Sequence, residues 1–232
     1  MAIITANEQT GGKGRCGRNW ESPQDGGLYV SFLTAPKVHP SNIHLISYSA
    51  GLAVAHFFRD SYGINAALKW PNDVIIPEEH NNIDNTQVYH FKKICGILSE
   101  SAISAETVKF CIIGMGINCK RSAIPPELSH RACALDDYVN NINRRELLTG
   151  ISQEFFSRIE CFETFGVNKL LQDYIAFCST IGKVVQIDTG DEIVNGTAIG
   201  LGESGELLVE TKNGIEKFSS ADVFHATISD IK

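Results

Sequence analysis

Residues 9–20 read Gln-Thr-Gly-Gly-Lys-Gly-Arg-Cys-Gly-Arg-Asn-Trp; after Ser22-Pro23-Gln24-Asp25-Gly26-Gly27, residues 28–33 read Leu-Tyr-Val-Ser-Phe-Leu. The first stretch gathers four glycines and three cations with no acidic residue, in a chain whose formal net charge is -7. Glycine permits positive φ and lets backbone N–H groups approach a ligand with no Cβ in the way. Lys13, Arg15 and Arg18 add side-chain donors, so the stretch reads as a loop folded over a phosphate or a carboxylate; a solvated basic turn is the plain alternative. The Pro, Asp and Gly content of residues 22–27 marks a turn, and the apolar run after it reads as a strand. The glycine loop therefore lies between strands. It is neither a Rossmann turn nor a Walker loop, which requires Gly-x-x-x-x-Gly-Lys-Ser/Thr ahead of a helix.

Working outward, 232 residues are enough for one large domain or one medium and one small domain. The excess of 27 acidic over 20 basic residues argues against sequence-independent nucleic-acid binding, which draws its affinity from cations over phosphates. Seven cysteines are scattered with no Cys-x-x-Cys pair, a pattern of reduced thiols in a cytosolic protein and not of a zinc site. The opening Met-Ala-Ile-Ile-Thr-Ala lacks the basic region and apolar core of a signal peptide. No apolar run reaches the length that crosses a membrane.

Residues 2–6 are predicted as a strand delivering Gln9 into the loop. Ser41 is an expected N-cap, after which Ile43, Ile46, Ser47, Ala50, Ala53, Val54 and Phe57 recur at helical spacing to about Asp60. Residues 66–70 and 74–76 read as strands joined through Pro71-Asn72-Asp73. Residues 77–90, rich in Asn, Asp and His, read as a surface insertion. Strands return at 93–99 and 108–113, the latter apolar on both faces as in a central strand. Leu147, Leu148, Ile151, Phe155, Ile159 and Phe162 predict a long helix over 144–165, with a second helical piece at 170–177. Short β-rich runs follow at 184–188, 192–201, 207–211 and 215–219, the last two separated by the hairpin signal Asn213-Gly214. The expected fold is α+β: a mixed β-sheet with packed helices over residues 1–179, then a small β-barrel over 180–232. Residues 200–205, Gly-Leu-Gly-Glu-Ser-Gly, fit the dinucleotide fingerprint literally, but they separate two strands where the fingerprint must open a helix.

The glycine loop, then Lys69-Trp70-Pro71-Asn72-Asp73 with Lys93-Ile94-Cys95-Gly96-Ile97-Leu98, then Gly114-Met115-Gly116-Ile117-Asn118, taken in that order, resemble the biotin protein ligase family. The likeness runs from about Ile3 to the C-terminus. It implies a class II synthetase-like biotin/lipoate ligase core followed by an SH3-like barrel. It also implies an ATP-dependent, AMP-forming activity in the cytoplasm, with Mg2+ accompanying ATP. Such an enzyme makes biotinyl-5'-AMP and passes biotin to a lysine of a carboxylase's biotin-acceptor domain.

By resemblance, Lys93, Arg15 and Asp73 are catalytic. Lys93 would bridge the biotin carboxylate and the α-phosphate, with neighbouring Lys92 as the competing choice; Asp73 would orient the acceptor amine or help it shed a proton. Biotin contacts fall on Gln9, Gly12, Lys13, Arg15, Ser31, Lys93, Gly96, Leu98 and Gly114. Adenylate contacts fall on Lys13, Arg15, Trp20, Lys93 and Asn118, whose amide suits the adenine edge. No protein ligand to a metal is implied. Trp70 is either core or a ligand wall, and Lys183 and Lys217 are candidate barrel contacts.

The chain departs from the family's pattern at several points. Lys13 and Cys16 stand where many members carry arginine. The strand and helix that normally precede the equivalent of Ile3, with their Ser-Thr-Asn segment, are not in this sequence. The expectation is therefore an incomplete form of a longer protein or a degenerate biotin site, with a sheet edge able to pair in a homodimer. There is no helix-turn-helix region to imply operator binding. A lipoate ligase-like acyltransferase and a noncatalytic adenylate- or acceptor-binding module are the alternative functions.

Overall fold

A computed structural model describes residues 1–78, 91–104 and 106–225. Most of the insertion expected at 77–90 lies outside the described residues. The main sheet is built from β1 (Ala2–Ala6), β2 (Gly27–Thr34), β3 (Ala67–Lys69), β4 (Asp73–Pro77), β5 (Phe91–Ser104) and β6 (Thr107–Asn118), in the order β1-β2-β6-β5-β4-β3. Each of these ladders is antiparallel. Parallel pairing occurs at the isolated bridges Leu68–Cys178 and Lys93–Ala132.

Strand alternation decides which residues face the core. In β6, Ile113, Met115 and Ile117 are buried, so Gly114, Gly116 and Asn118 face the other way. These three were expected to follow a strand and instead lie within it; glycine at alternate positions weakens the β signal without breaking it. The register carries the same face across the sheet, setting Ser31 and Leu98 beside Gly114, Tyr29 and Gly96 beside Gly116, and Asp73 beside Gly96.

Two helices cover the buried face, α1 (Ile46–Tyr62) and α2 (Arg144–Phe177). A 3-10 turn, Pro40–Leu45, precedes α1, with His39 and not Ser41 at its cap: the imidazole accepts from the Ser41 amide at 3.3 Å. Pro40, whose fixed φ suits a first helical position, starts the turn earlier than the apolar spacing suggested. Gly63, at φ 65°, ends α1. The two expected helical pieces are the arms of α2, which Gly166 interrupts with φ 74° and ψ -169°. Phe155 on α2 meets Phe32 of β2 with ring centroids 5.0 Å apart.

The second sheet comprises β7 (Val184–Asp188), β8 (Ile193–Leu201), β9 (Leu207–Thr211), β10 (Gly214–Phe218) and β11 (Asp222–His225), ordered β10-β9-β8-β7-β11. Its buried residues, among them Val185, Leu207 and Val223, are continuous with the main core. β11 escaped the sequence reading because so short a strand offers too little alternation. The β8–β9 turn docks on α1. Trp70, only 1% exposed, donates through Nε1 to Tyr48 Oη (2.8 Å) and to the Gly205 carbonyl (3.1 Å), while Tyr48 Oη donates to that carbonyl at 2.7 Å. Trp70 is thus core, and the rejected fingerprint glycine Gly205 serves a turn at φ 82° whose approach to Leu45 and Tyr48 leaves no space for a Cβ.

Trp70→Phe removes one donor from this buried cluster and leaves a void. It should cost about 1–3 kcal/mol, read as a lower urea midpoint; an unchanged midpoint would show that the indole does not tie the sheets.

Candidate active site

The face of the main sheet turned away from the helices carries two opposed glycines, Gly96 on β5 and Gly116 on β6. The Trp20 indole lies on them. A Cβ at Gly116 would come 2.3 Å from its Nε1 and one at Gly96 2.8 Å from its Cζ3. The loop that delivers Trp20 is closed on itself: the Trp20 amide donates to the Gly12 carbonyl at 3.0 Å, and the Gly14 amide to the Arg18 carbonyl at 2.7 Å. Gly12 is buried where a Cβ would stand 2.3 Å from the Trp20 carbonyl oxygen, which explains glycine there.

Beside the indole, Lys93 Nζ is 2.6 Å from Asp73 Oδ1 and 5.1 Å from the Trp20 ring centroid. Lys93 is held through its backbone, its amide donating to Arg131 O (2.9 Å) and its carbonyl accepting from Cys133 N (3.0 Å). Arg121 pins that neighbouring segment by donating to Ala132 O and Ser129 O. Lys92, the competing choice that the motif's register set aside, pairs instead with Glu78 at 2.5 Å. Asn72 joins loop to sheet: its Nδ2 donates to Ile97 O at 2.6 Å and its Oδ1 accepts from Arg15 Nη1 at 3.2 Å.

Arg15 also reaches the second sheet, donating to Ser220 Oγ, and Arg18 forms a two-pronged ion pair with Asp222 at the start of β11. Sequence reasoning missed Ser220 and Asp222; no local pattern links residues 204 and 205 positions apart. It pointed instead to Lys183, just ahead of β7, and to Lys217, an exposed residue of β10 at the opposite edge of that sheet from β11.

The remaining expected residues are spread around this centre. Ser31, Leu98 and Gly114 share the glycine face, half-buried in the case of Ser31 and Leu98. Asn118 Nδ2 donates to Cys133 O at 3.1 Å. Gln9 Oε1 accepts from Ser22 Oγ at 2.8 Å. Lys13 is exposed, placed by a backbone bridge to Asn19. The Trp20 Nε1 is buried with no partner among the described residues. These groups bring together what anion chemistry needs: cations, amides from a glycine loop, and a carboxylate within reach of an ammonium.

A model of the Biotin/lipoate A/B protein ligase family matches residues 2–118, and one of the biotin protein ligase C terminal domain matches residues 180–226. The chain is similar to the bifunctional ligase/repressor BirA of Bacillus subtilis, at 29% identity over 224 residues, covering 95% of this chain and 65% of that protein. It therefore spans about two thirds of that relative's length, and slightly less than that. It is also similar to a biotin–acetyl-CoA-carboxylase ligase of Paracoccus denitrificans, at 25% identity with 96% of this chain and 90% of the other covered. Among solved structures, the biotin protein ligase from Aquifex aeolicus in complex with biotin and ATP superposes with a TM-score of 0.79 at 29% identity, covering 97% of this chain and 89% of that one.

An exposed ion pair is worth about 0.2–1 kcal/mol, so Arg18→Ala or Asp222→Ala should speed tryptic cleavage after Lys13 and Arg15, the loop sites every variant keeps, by up to about fivefold. The exchanged pair, Arg18→Asp with Asp222→Arg, should return it toward the starting rate. Cleavage at the original rate in both single variants would show that the pair does not hold the loop.

Proposed function

Because the chain belongs to the Biotin/lipoate A/B protein ligase family, we propose that it is an ATP-dependent biotin protein ligase. The observation that carries this reading is the Lys93–Asp73 pair at 2.6 Å, set on the glycine face beneath Trp20 and flanked by Arg15. The proposed division at 179/180 gives a catalytic unit and a barrel that meets the glycine loop through Ser220 and Asp222.

In the first half-reaction a biotin carboxylate oxygen attacks the α-phosphorus of ATP, and the bond to pyrophosphate breaks. Mg2+ enters with the nucleotide as part of the substrate. Two anions must meet, and Lys93, turning from Asp73, offsets their repulsion as the pentacovalent centre forms. Arg15, fixed by Asn72 and Ser220, holds the adenylate phosphate as a planar donor. Gln9, Gly12, Ser31, Gly96, Leu98 and Gly114 line the biotin side, with Lys13 at the loop's outer rim. Asn118 meets the adenine edge, and the unpartnered Trp20 indole N–H is a donor for the ligand, since buried polar groups are rarely left unpaired. In the second half-reaction the amine of an acceptor lysine attacks the acyl carbon, AMP leaves, and Asp73 takes the amine's proton. The acceptor is the carrier domain of a biotin-dependent carboxylase, and the setting is the cytoplasm.

The test is ATP-dependent transfer of labelled biotin to an acceptor domain. Loss of one electrostatic group of this kind costs about 10²–10³ in rate, so Lys93→Ala should label at that reduced level while keeping its fold; full turnover by the folded variant would overturn the role of Lys93. Faster transfer of lipoate than of biotin would move the chain to the lipoate branch of the family.

β1 is exposed along its whole length, with Ile3 43% and Ile4 61% exposed. This edge supports pairing with a second copy in a homodimer. Light scattering should give twice the monomer mass; a monomer at assay concentration would dismiss the dimer.

A further inference from the structure

Lys69 has no part in the reaction above, yet it stands opposite Asp73 in the β3–β4 ladder. Residues paired in this way project from the same face and interact. The Lys69 ammonium lies 4.9 Å from the ring centroid of Phe91 on β5 and 6.0 Å from that of Phe224 on β11. The aromatic faces attract the cation without giving it a competing anion. Burial pushes this ammonium down, Asp73 pulls it back up, and Lys93 lowers it again, with smaller influences from Asp222 and Arg18. Asp73 thus pairs with Lys93 and has Lys69 across the ladder from it.

Resting on the ligase reading, we propose that Lys69 is a positioning residue that takes over the Asp73 carboxylate when Lys93 turns to the substrate anions. Removing one partner of a partly buried ion pair leaves the other charge uncompensated, at a penalty the remaining structure must absorb. With Lys69 across the ladder, Asp73 exchanges one ammonium for another. Lys93 is released toward the biotin carboxylate and α-phosphate without stranding a charge, and Asp73 stays close by for the second half-reaction.

The experiment is biotin-dependent exchange of labelled pyrophosphate into ATP, which reads adenylation alone. Lys69→Met, similar in length and able to keep sulfur contacts with both rings, should lower kcat about tenfold with the KM for biotin within about twofold. Lys69→Arg should recover most of the rate. The decisive comparison is made in Asp73→Asn, which frees Lys93 whatever stands at position 69: there Lys69→Met should change the rate by less than about twofold. Equal losses in both backgrounds, a Lys69→Met enzyme at the original rate, or Asp73→Asn without measurable exchange would each overturn the proposal. If Lys69→Met does not fold, Lys69→Gln replaces it in the same cycle. No exchange by the folded, unsubstituted protein would instead remove the ligase reading and this proposal with it.

Discussion

Two glycines that face one another across neighbouring strands set the terms for this molecule. Gly96 and Gly116 leave a strip of sheet with no side chains, and the Trp20 indole occupies the space their Cβ atoms would need. Once the indole is seated, the Gly12–Trp20 hydrogen bond fixes the loop above it. Arg15 is thereby carried to Asn72, and the Lys93 ammonium has an aromatic face beside it. Backbone geometry at two positions thus governs the placement of charges at several others.

Those charges are ordered in a way the net value conceals. In a chain of formal charge -7, Arg15, Arg18, Lys69 and Lys93 gather where β4, β5 and β11 meet the loop, interleaved with Asp73 and Asp222. Interleaving limits the mutual repulsion that four cations would otherwise suffer, and it gives each cation an internal partner or an aromatic neighbour. An entering anion must compete with carboxylates already in place.

What could be read from the residues depended on the range of the interaction. The strand at residues 2–6, the glycine loop between strands, the Asn213-Gly214 hairpin and the two helical pieces rest on local patterns, and each is found, Gly166 marking the break between the helical pieces. The order of three motifs pointed to Lys93, Asp73 and Arg15, which the fold brings together. Long-range chemistry was not legible. Nothing near Ser220 or Asp222 announces an arginine two hundred positions earlier, and the identity of Trp70 could not tell a ligand wall from a core residue until Tyr48 and Gly205 were seen to surround its N–H. Nor did composition separate Lys92 from Lys93; the two side chains find different carboxylates.

The Gly205 carbonyl, taken up by Trp70 and Tyr48, makes the C-terminal sheet more than an appendage. Its β8–β9 turn is anchored among side chains from the helix α1 and from the strand junction that carries Asp73, and its apolar interior runs on into the larger core. Separating the two sheets would expose a tyrosine, a tryptophan and a backbone carbonyl together. A force that loosens the C-terminal sheet therefore reaches Asp73 through the Trp70–Asp73 turn and the glycine loop through Ser220 and Asp222.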